Sequence, residues 1–219
     1  MLTINKLFVP DGLQTNTNKD MTAINFITIH NTGNYAAGAT AKMHAEYQYN
    51  GAGGREASWH YTVDADEIWQ SFDDRRMCWH AGDGKGPGNV SSIGIEICVN
   101  SQSGFPKACD NAAWLTAQCL YVHGLLPDAV KQHYDWSGKD CPAELRSGKW
   151  GVTWADFLQA VQAYYAALEQ PLVPGVPSPW AEEAAAWCMA NGITDGTRPR
   201  EAATREELWT MLYRIAKGK

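Results

Sequence analysis

The sequence of 219 residues predicts an α/β domain, with helices flanking a central mixed β-sheet, followed by a small C-terminal helical hairpin. Three observations carry this expectation. Short β-branched runs, such as residues 26–29, alternate along the chain with longer stretches of helical periodicity. Residues 93–100 alternate strictly, as a half-buried strand does. A segment with prolines at 171, 174, 177 and 179 then separates a large unit, residues 1–168, from a tail, residues 180–219.

Taken in order, Phe26-Ile27-Thr28-Ile29 reads as a buried strand that delivers His30 at its end. A helix is expected over about residues 39–49. Residues 59–63 and 67–72 read as a hairpin around Asp64-Ala65-Asp66. In residues 93–100, Ile93, Ile95, Ile97 and Val99 share one face, and Gly94, Glu96 and Cys98 share the other. A long helix is expected to start with Asp110 as N-cap, and another at Thr153 with Trp154, Leu158, Val161, Tyr165 and Leu168 on one face. Residues 169–179 are expected to be an extended, semi-rigid linker. In the tail, Trp180, Ala184, Trp187 and Cys188 form an apolar stripe ended by Asn191-Gly192. A second helix opens with the capping box Thr204/Glu207 and continues through Leu208, Met211, Leu212 and Ile215.

The formal net charge of −6 argues against nucleic acid as a partner, because counterion release needs a basic surface. Residues 1–176 hold 18 acids against 12 bases and residues 177–219 hold 6 against 6, so the acidity belongs to the large unit. No stretch approaches the roughly 20 apolar residues of a membrane span. The N-terminal residues contain no apolar run of signal-peptide length, so synthesis in a cytoplasm without an export signal is expected. The six cysteines are scattered, without the density of a disulfide scaffold.

Two segments carry candidate chemistry, residues 27–33 (ITIHNTG) and a turn-rich loop at 132–142 (QHYDWSGKDCP). They offer His30, His133 and Cys141, three soft donors of the kind that hold a catalytic zinc with one position open. On residue type alone, a strand-end histidine and a buried thiol account for them better than a metal site does. Glu96 lies on the small-residue face of its strand, where a carboxylate is either a desolvated base or a surface acid.

These segments belong to an ordered set: IHNTG, ASWHYTVD at 57–64, WHAGDGKGPGN at 79–89, IGIEICVN at 93–100 and HYDWSGKDCP at 133–142. In that order they resemble the zinc-dependent N-acetylmuramoyl-L-alanine amidases shared by phage endolysins, bacterial autolysins and peptidoglycan recognition proteins. The resemblance spans roughly residues 20–165. It implies one Zn²⁺ per chain on His30, His133 and Cys141, Glu96 as general base, and Lys139 as the cation facing the developing oxyanion. The substrate implied is peptidoglycan, cut between the lactyl group of N-acetylmuramic acid and L-alanine of the stem peptide. Some members place a tyrosine directly before the histidine of the WHY block; here that residue is Trp59, which shifts base catalysis onto Glu96. Asn31, Trp59, His60, Trp79 and His80 are candidate substrate contacts; Asn31 is also a candidate for orienting the first ligand, and His60 and His80 are each open to orienting a ligand or to a structural role.

The tail resembles a single S-layer-homology repeat (WAEEA, GITDGT, TREE), which implies attachment to a secondary cell-wall polymer. Trp180, Arg198, Arg200, Thr204 and Arg205 are the candidate contacts. Such repeats usually come in threes, so homo-oligomerisation through the tail is a second expectation. The function expected for the whole is a phage or prophage endolysin acting at a Gram-positive wall; the alternative is a peptidoglycan-binding module without catalysis.

Overall fold

The alternation of residues 93–100 is resolved by where the side chains go. In the computed structural model, which describes residues 2–169, 181–197 and 203–217, Ile93, Ile95 and Ile97 are all fully buried, while Glu96 is half-buried on the opposite face. Clustering of contacts divides the chain into two compact units, residues 2–168 and the C-terminal residues from 169 onward.

Within the first unit, six strands form one mixed sheet: β1 (Ile4–Lys6), β2 (Phe26–Asn31), β3 (Tyr61–Val63), β4 (Ile68–Gln70), β5 (Ser92–Ile97) and β6 (Val130–Gln132). The order across the sheet is β1-β4-β3-β5-β2-β6, and only β3 and β4 run antiparallel. The hairpin expected around Asp64 is that pair. The Asp64 carboxylate accepts the backbone N–H groups of Asp66 and Glu67 at 2.9 and 2.8 Å, so the turn is tied by its own first residue.

One face of the sheet carries the main core. Ile27, Ile29, Val63 and the three isoleucines of β5 pack with Phe105, Leu115 and Leu120 of α3 (Phe105–Val122) and with Phe157 and Val161 of α6 (Trp154–Glu169). The helix α1 (Ala41–Tyr49) is capped by the Thr40 hydroxyl, which accepts from the Met43 N–H. Two expectations are corrected here. The long helix α3 begins at Phe105, five residues before Asp110, because Pro106 in the first turn lacks only an N–H that has no helical partner there. Asp110 instead accepts from Lys107 Nζ and Tyr164 Oη, both at 2.7 Å. The segment 132–142, expected as loop, opens with α4 (His133–Ser137). Its first turn is held by the Asp135 carboxylate on the Gln132 N–H, and Gly138 ends it at φ 74°. Two more short helices, α2 (Pro87–Val90) and α5 (Ala143–Ser147), complete this unit.

All six cysteines are free, and five are buried, Cys141 among them. Among the described residues no helix is long and apolar enough to cross a membrane.

The second unit holds α7 (Glu182–Ala190), closed by Asn191 and by Gly192 at φ 66°, and α8 (Arg205–Lys217). Thr204 and Glu207 cap α8 reciprocally: the Thr204 N–H donates to the Glu207 carboxylate at 2.7 Å and the Glu207 N–H to the Thr204 hydroxyl at 3.2 Å. Arg214 donates to the Ile193 carbonyl at 2.9 Å, linking the two halves of the unit. Neither helix has a buried residue, and Trp187, Trp209, Leu212 and Tyr213 are all more than half exposed. The expected linker beyond residue 169, and Trp180, Arg198 and Arg200, lie outside the described residues.

Candidate metal centre

Three parallel strands, β5-β2-β6, bring their C-terminal ends to one edge of the sheet, the place where α/β folds put their chemistry. His30 is the last but one residue of β2, and its Cα partner on β5 is Glu96. Thr62 of β3 continues the row, so His30, Glu96 and Thr62 share the face opposite the isoleucine core. His133 follows directly on β6 as the first residue of α4, and Cys141 comes from the turn before α5.

These elements gather His30, His133 and Cys141, all buried, with one donor atom from each lying within 4.8 Å of the others. His30 Nδ1 is 3.0 Å from His133 Nδ1 and 3.8 Å from Cys141 Sγ. The backbone N–H of Asn31 donates to the Cys141 sulfur, and the Asn31 side-chain oxygen accepts from the Glu144 N–H at 3.2 Å. Burial, reinforced by the neighbouring imidazoles and Lys139, holds His30 well below the usual histidine range; burial and then Lys139 bring His133 down to about 4. Both rings are therefore neutral near pH 7, the form that donates a lone pair to an ion. Burial pushes the Cys141 thiol up to about 12, with the Glu96 carboxylate adding to it.

Beside this cluster, Glu96 Oε2 is inaccessible to solvent and has no hydrogen-bond partner among the described residues. Burial raises its carboxyl to about 7, and Lys139 acts in the opposite direction. Lys139 is exposed, and its charge acts on His30, His133, Cys141 and Glu96.

The candidate substrate contacts separate into two groups. Trp59 is half-buried; its indole N–H donates to Thr62 Oγ1 at 2.7 Å, which sets the ring along the row that holds Glu96. Trp79 is half-buried, with its backbone paired to Ser58. His60 and His80, in contrast, have no free nitrogen to offer a substrate. His60 Nδ1 accepts the Gly94 N–H at 2.9 Å and Nε2 donates to the Arg76 carbonyl at 2.7 Å, in a ring with no exposed surface. His80 lies between the Ser92 carbonyl at 3.2 Å and His30 Nε2 at 3.0 Å. Both are thus corrected from substrate contacts to interior groups. Sequence reasoning passed over the backbone at Gly82, toward which His133 Nε2 turns, because such a position has no signature in a sequence. It also passed over Glu144, a buried carboxylate that accepts from Tyr35 Oη beside Asn31.

The profile of a protein family described as N-acetylmuramoyl-L-alanine amidase matches residues 20–144. The chain is 43% identical over 157 residues to the N-acetylmuramoyl-L-alanine amidase XlyA of Bacillus subtilis (strain 168), a match covering 72% of this chain and 50% of that protein. It is 41% identical over 164 residues to CwlH of the same organism, covering 74% of this chain and 62% of that one. The solved catalytic domain of XlyA aligns with a TM-score of 0.67 at 42% identity, over 73% of this chain and 99% of that domain. The chain therefore spans about half the length of the first of these relatives and almost all of its catalytic domain. On the fold, the clustered side chains and these likenesses together, the chain belongs to the N-acetylmuramoyl-L-alanine amidase family.

Proposed function

We propose that the chain is a zinc-dependent amidase that hydrolyses the bond between the lactyl group of N-acetylmuramic acid and L-alanine of the peptidoglycan stem, in the manner of a phage or prophage endolysin acting on a Gram-positive wall. The observation that carries this reading is the convergence of two neutral imidazoles and a thiol on one point, beside a buried, unpartnered carboxylate. The fit to zinc can be tested on distance. Tetrahedral coordination at ordinary Zn–N and Zn–S lengths puts two nitrogens about 3.3 Å apart and nitrogen and sulfur about 3.6 Å apart; here the two spacings from His30 Nδ1 are 3.0 and 3.8 Å, and all three donors lie within 4.8 Å of one another. The donor set is soft, as zinc prefers, and a thiol raised by burial is one that an ion readily deprotonates.

When bound, the ion supplies Lewis acidity that polarises the amide carbonyl and acidifies water. The remaining steps fall to the chain itself. Glu96 Oε2, poised near neutrality, accepts the proton of the attacking water and returns it to the departing alanine nitrogen. The Lys139 ammonium balances the negative charge that develops on the carbonyl oxygen. Trp59 walls the cleft, and Asn31 steadies Cys141.

The tail is assigned to wall attachment or self-association, supported by the apolar side chains that α7 and α8 leave uncovered. Thr204 is engaged as the α8 cap, which accounts for that residue without a ligand, and Arg205 opens the helix.

Purified Gram-positive peptidoglycan tests the reading, with released amino groups and released reducing ends measured side by side. New amino groups alone, lost on chelation and reduced at least 100-fold in Glu96→Gln with zinc content unchanged, are the expected result. New reducing ends would make it a glycosidase. Binding to the wall without release would make it a recognition module instead.

A further inference from the structure

Each imidazole around the cluster has a fixed partner, and following the protons outward from one carbonyl gives a single arrangement. A carbonyl only accepts, so His80 Nε2, facing the Ser92 oxygen at 3.2 Å, carries the hydrogen. His80 Nδ1 is then a bare lone pair, and at 3.0 Å it takes the hydrogen of His30 Nε2. That leaves His30 Nδ1 bare. On the other side, His133 presents Nδ1 to His30 at 3.0 Å and turns Nε2 toward Gly82. A bare His30 Nδ1 is thus aimed at the second imidazole, where a cation would take its lone pair.

The segment that imposes this is itself anchored. Asn89, almost fully buried, accepts the backbone N–H groups of both His80 and Ala81 at 2.8 Å and donates to the Gly84 carbonyl at 3.0 Å. The strand opposite makes room for it. Gly94 sits in the interior of a central strand, where a β-branched residue packs best, and a Cβ there would come 2.9 Å from His80 Cγ and 3.0 Å from Nδ1. The glycine therefore lets the His80 ring lie flat on β5, within reach of both His30 and the Ser92 carbonyl.

We propose that His80 is a positioning residue for the metal centre: it fixes His30 in the Nε2–H tautomer and turns the bare Nδ1 toward His133 and Cys141. One residue, suspended from Asn89 and seated on Gly94, thus prepares the first imidazole ligand before any ion arrives. The inference rests on the zinc reading above, but part of its test needs no metal.

The full chain is prepared zinc-free, and the ring-nitrogen shifts of its histidines are read by long-range ¹H–¹⁵N correlation. Zn²⁺ affinity is then measured by competition with a chromophoric chelator, and the site is probed by the Co²⁺ spectrum. The expected tautomer of His30 is Nε2–H with Nδ1 bare; Nδ1–H overturns the proposal. His80→Leu removes the acceptor and is expected to weaken Zn²⁺ binding about 10- to 100-fold, the range for a group that holds a ligand. His80→Asn keeps an acceptor oxygen at the δ position and is expected to restore most of that loss. Gly94→Ala, which keeps every histidine in the sequence but displaces the His80 ring, is expected to weaken binding and alter the Co²⁺ bands. This last variant carries the test if His80→Leu does not fold. Equal Zn²⁺ affinity in the wild type, His80→Leu and Gly94→Ala overturns the positioning role. A wild type that binds no Zn²⁺ while showing the expected tautomer defeats the zinc reading instead, and the two failures are told apart.

Discussion

Buried neutral histidines make this fold acid-sensitive in a way that one residue can report. His60 has no exposed surface, and burial is the main cause that brings its pKa from 6.5 down to about 4, with the Arg76 carbonyl opposing. The unfolded chain takes up the proton near pH 6.5 and the folded chain not until about pH 4. Between those values the unfolded state binds more protons, so stability falls as the pH falls through this window and levels off below it. At 1.36 kcal/mol per unit, a shift of this size amounts to about 3 kcal/mol. His60→Gln supplies an amide that can donate to the Arg76 carbonyl but does not titrate. Urea unfolding of the chelated wild type and of His60→Gln at pH 7, 6, 5 and 4 isolates the effect, because the other titrating groups are common to both. The advantage of the wild type over the variant is expected to shrink by about 3 kcal/mol from pH 7 to pH 4. A constant difference across that range would refute the reasoning and mean that the His60 ring takes its proton as readily folded as unfolded.

Two further outcomes follow from the same structure. Cys141→Ala removes one of three donors in a buried cluster, so Zn²⁺ at about 100 times the wild-type Kd, which should stabilise the wild type by about 2.7 kcal/mol in a thermal melt, is expected to leave the variant unmoved. Phe105→Ala empties a fully buried position at the start of α3, where the ring meets Trp150 edge-on at 5.3 Å, and is expected to cost about 3–5 kcal/mol in denaturant unfolding without lowering Zn²⁺ content.

What the sequence made legible follows the range of the interactions involved. The strand ending at His30 and the two faces of residues 93–97 depend on periodicity alone, and both appear where the pattern places them. The Thr204/Glu207 cap is likewise a contact between neighbours in sequence. The start of α3 was misplaced because Asp110 looks like a cap, whereas its carboxylate is engaged by Lys107 and by Tyr164 of another helix. The alternation also could not say whether the Glu96 face meets solvent; that depends on the pairing of Glu96 with His30, a register set by distant residues. The roles of His60 and His80 were least legible of all. Their partners are backbone groups of Arg76, Gly94 and Ser92 and a ring fifty positions away, and none of these is marked by residue type at the histidine itself.

The scatter of the cluster along the chain has a consequence for how the molecule is made. His30 and Cys141 are separated by 111 positions, and His30 lies on β2, which stands between β5 and β6 in the sheet. Before these strands pair, His133 and Cys141 offer an ion two ligands on a floppy segment, a weak hold that a competing chelator easily breaks. Closing the long loops between these strands is the slow part of building such a sheet. On the zinc reading, loading would follow the pairing of the central strands, and an ion retained against a chelator would mark a molecule whose central strands are already in register.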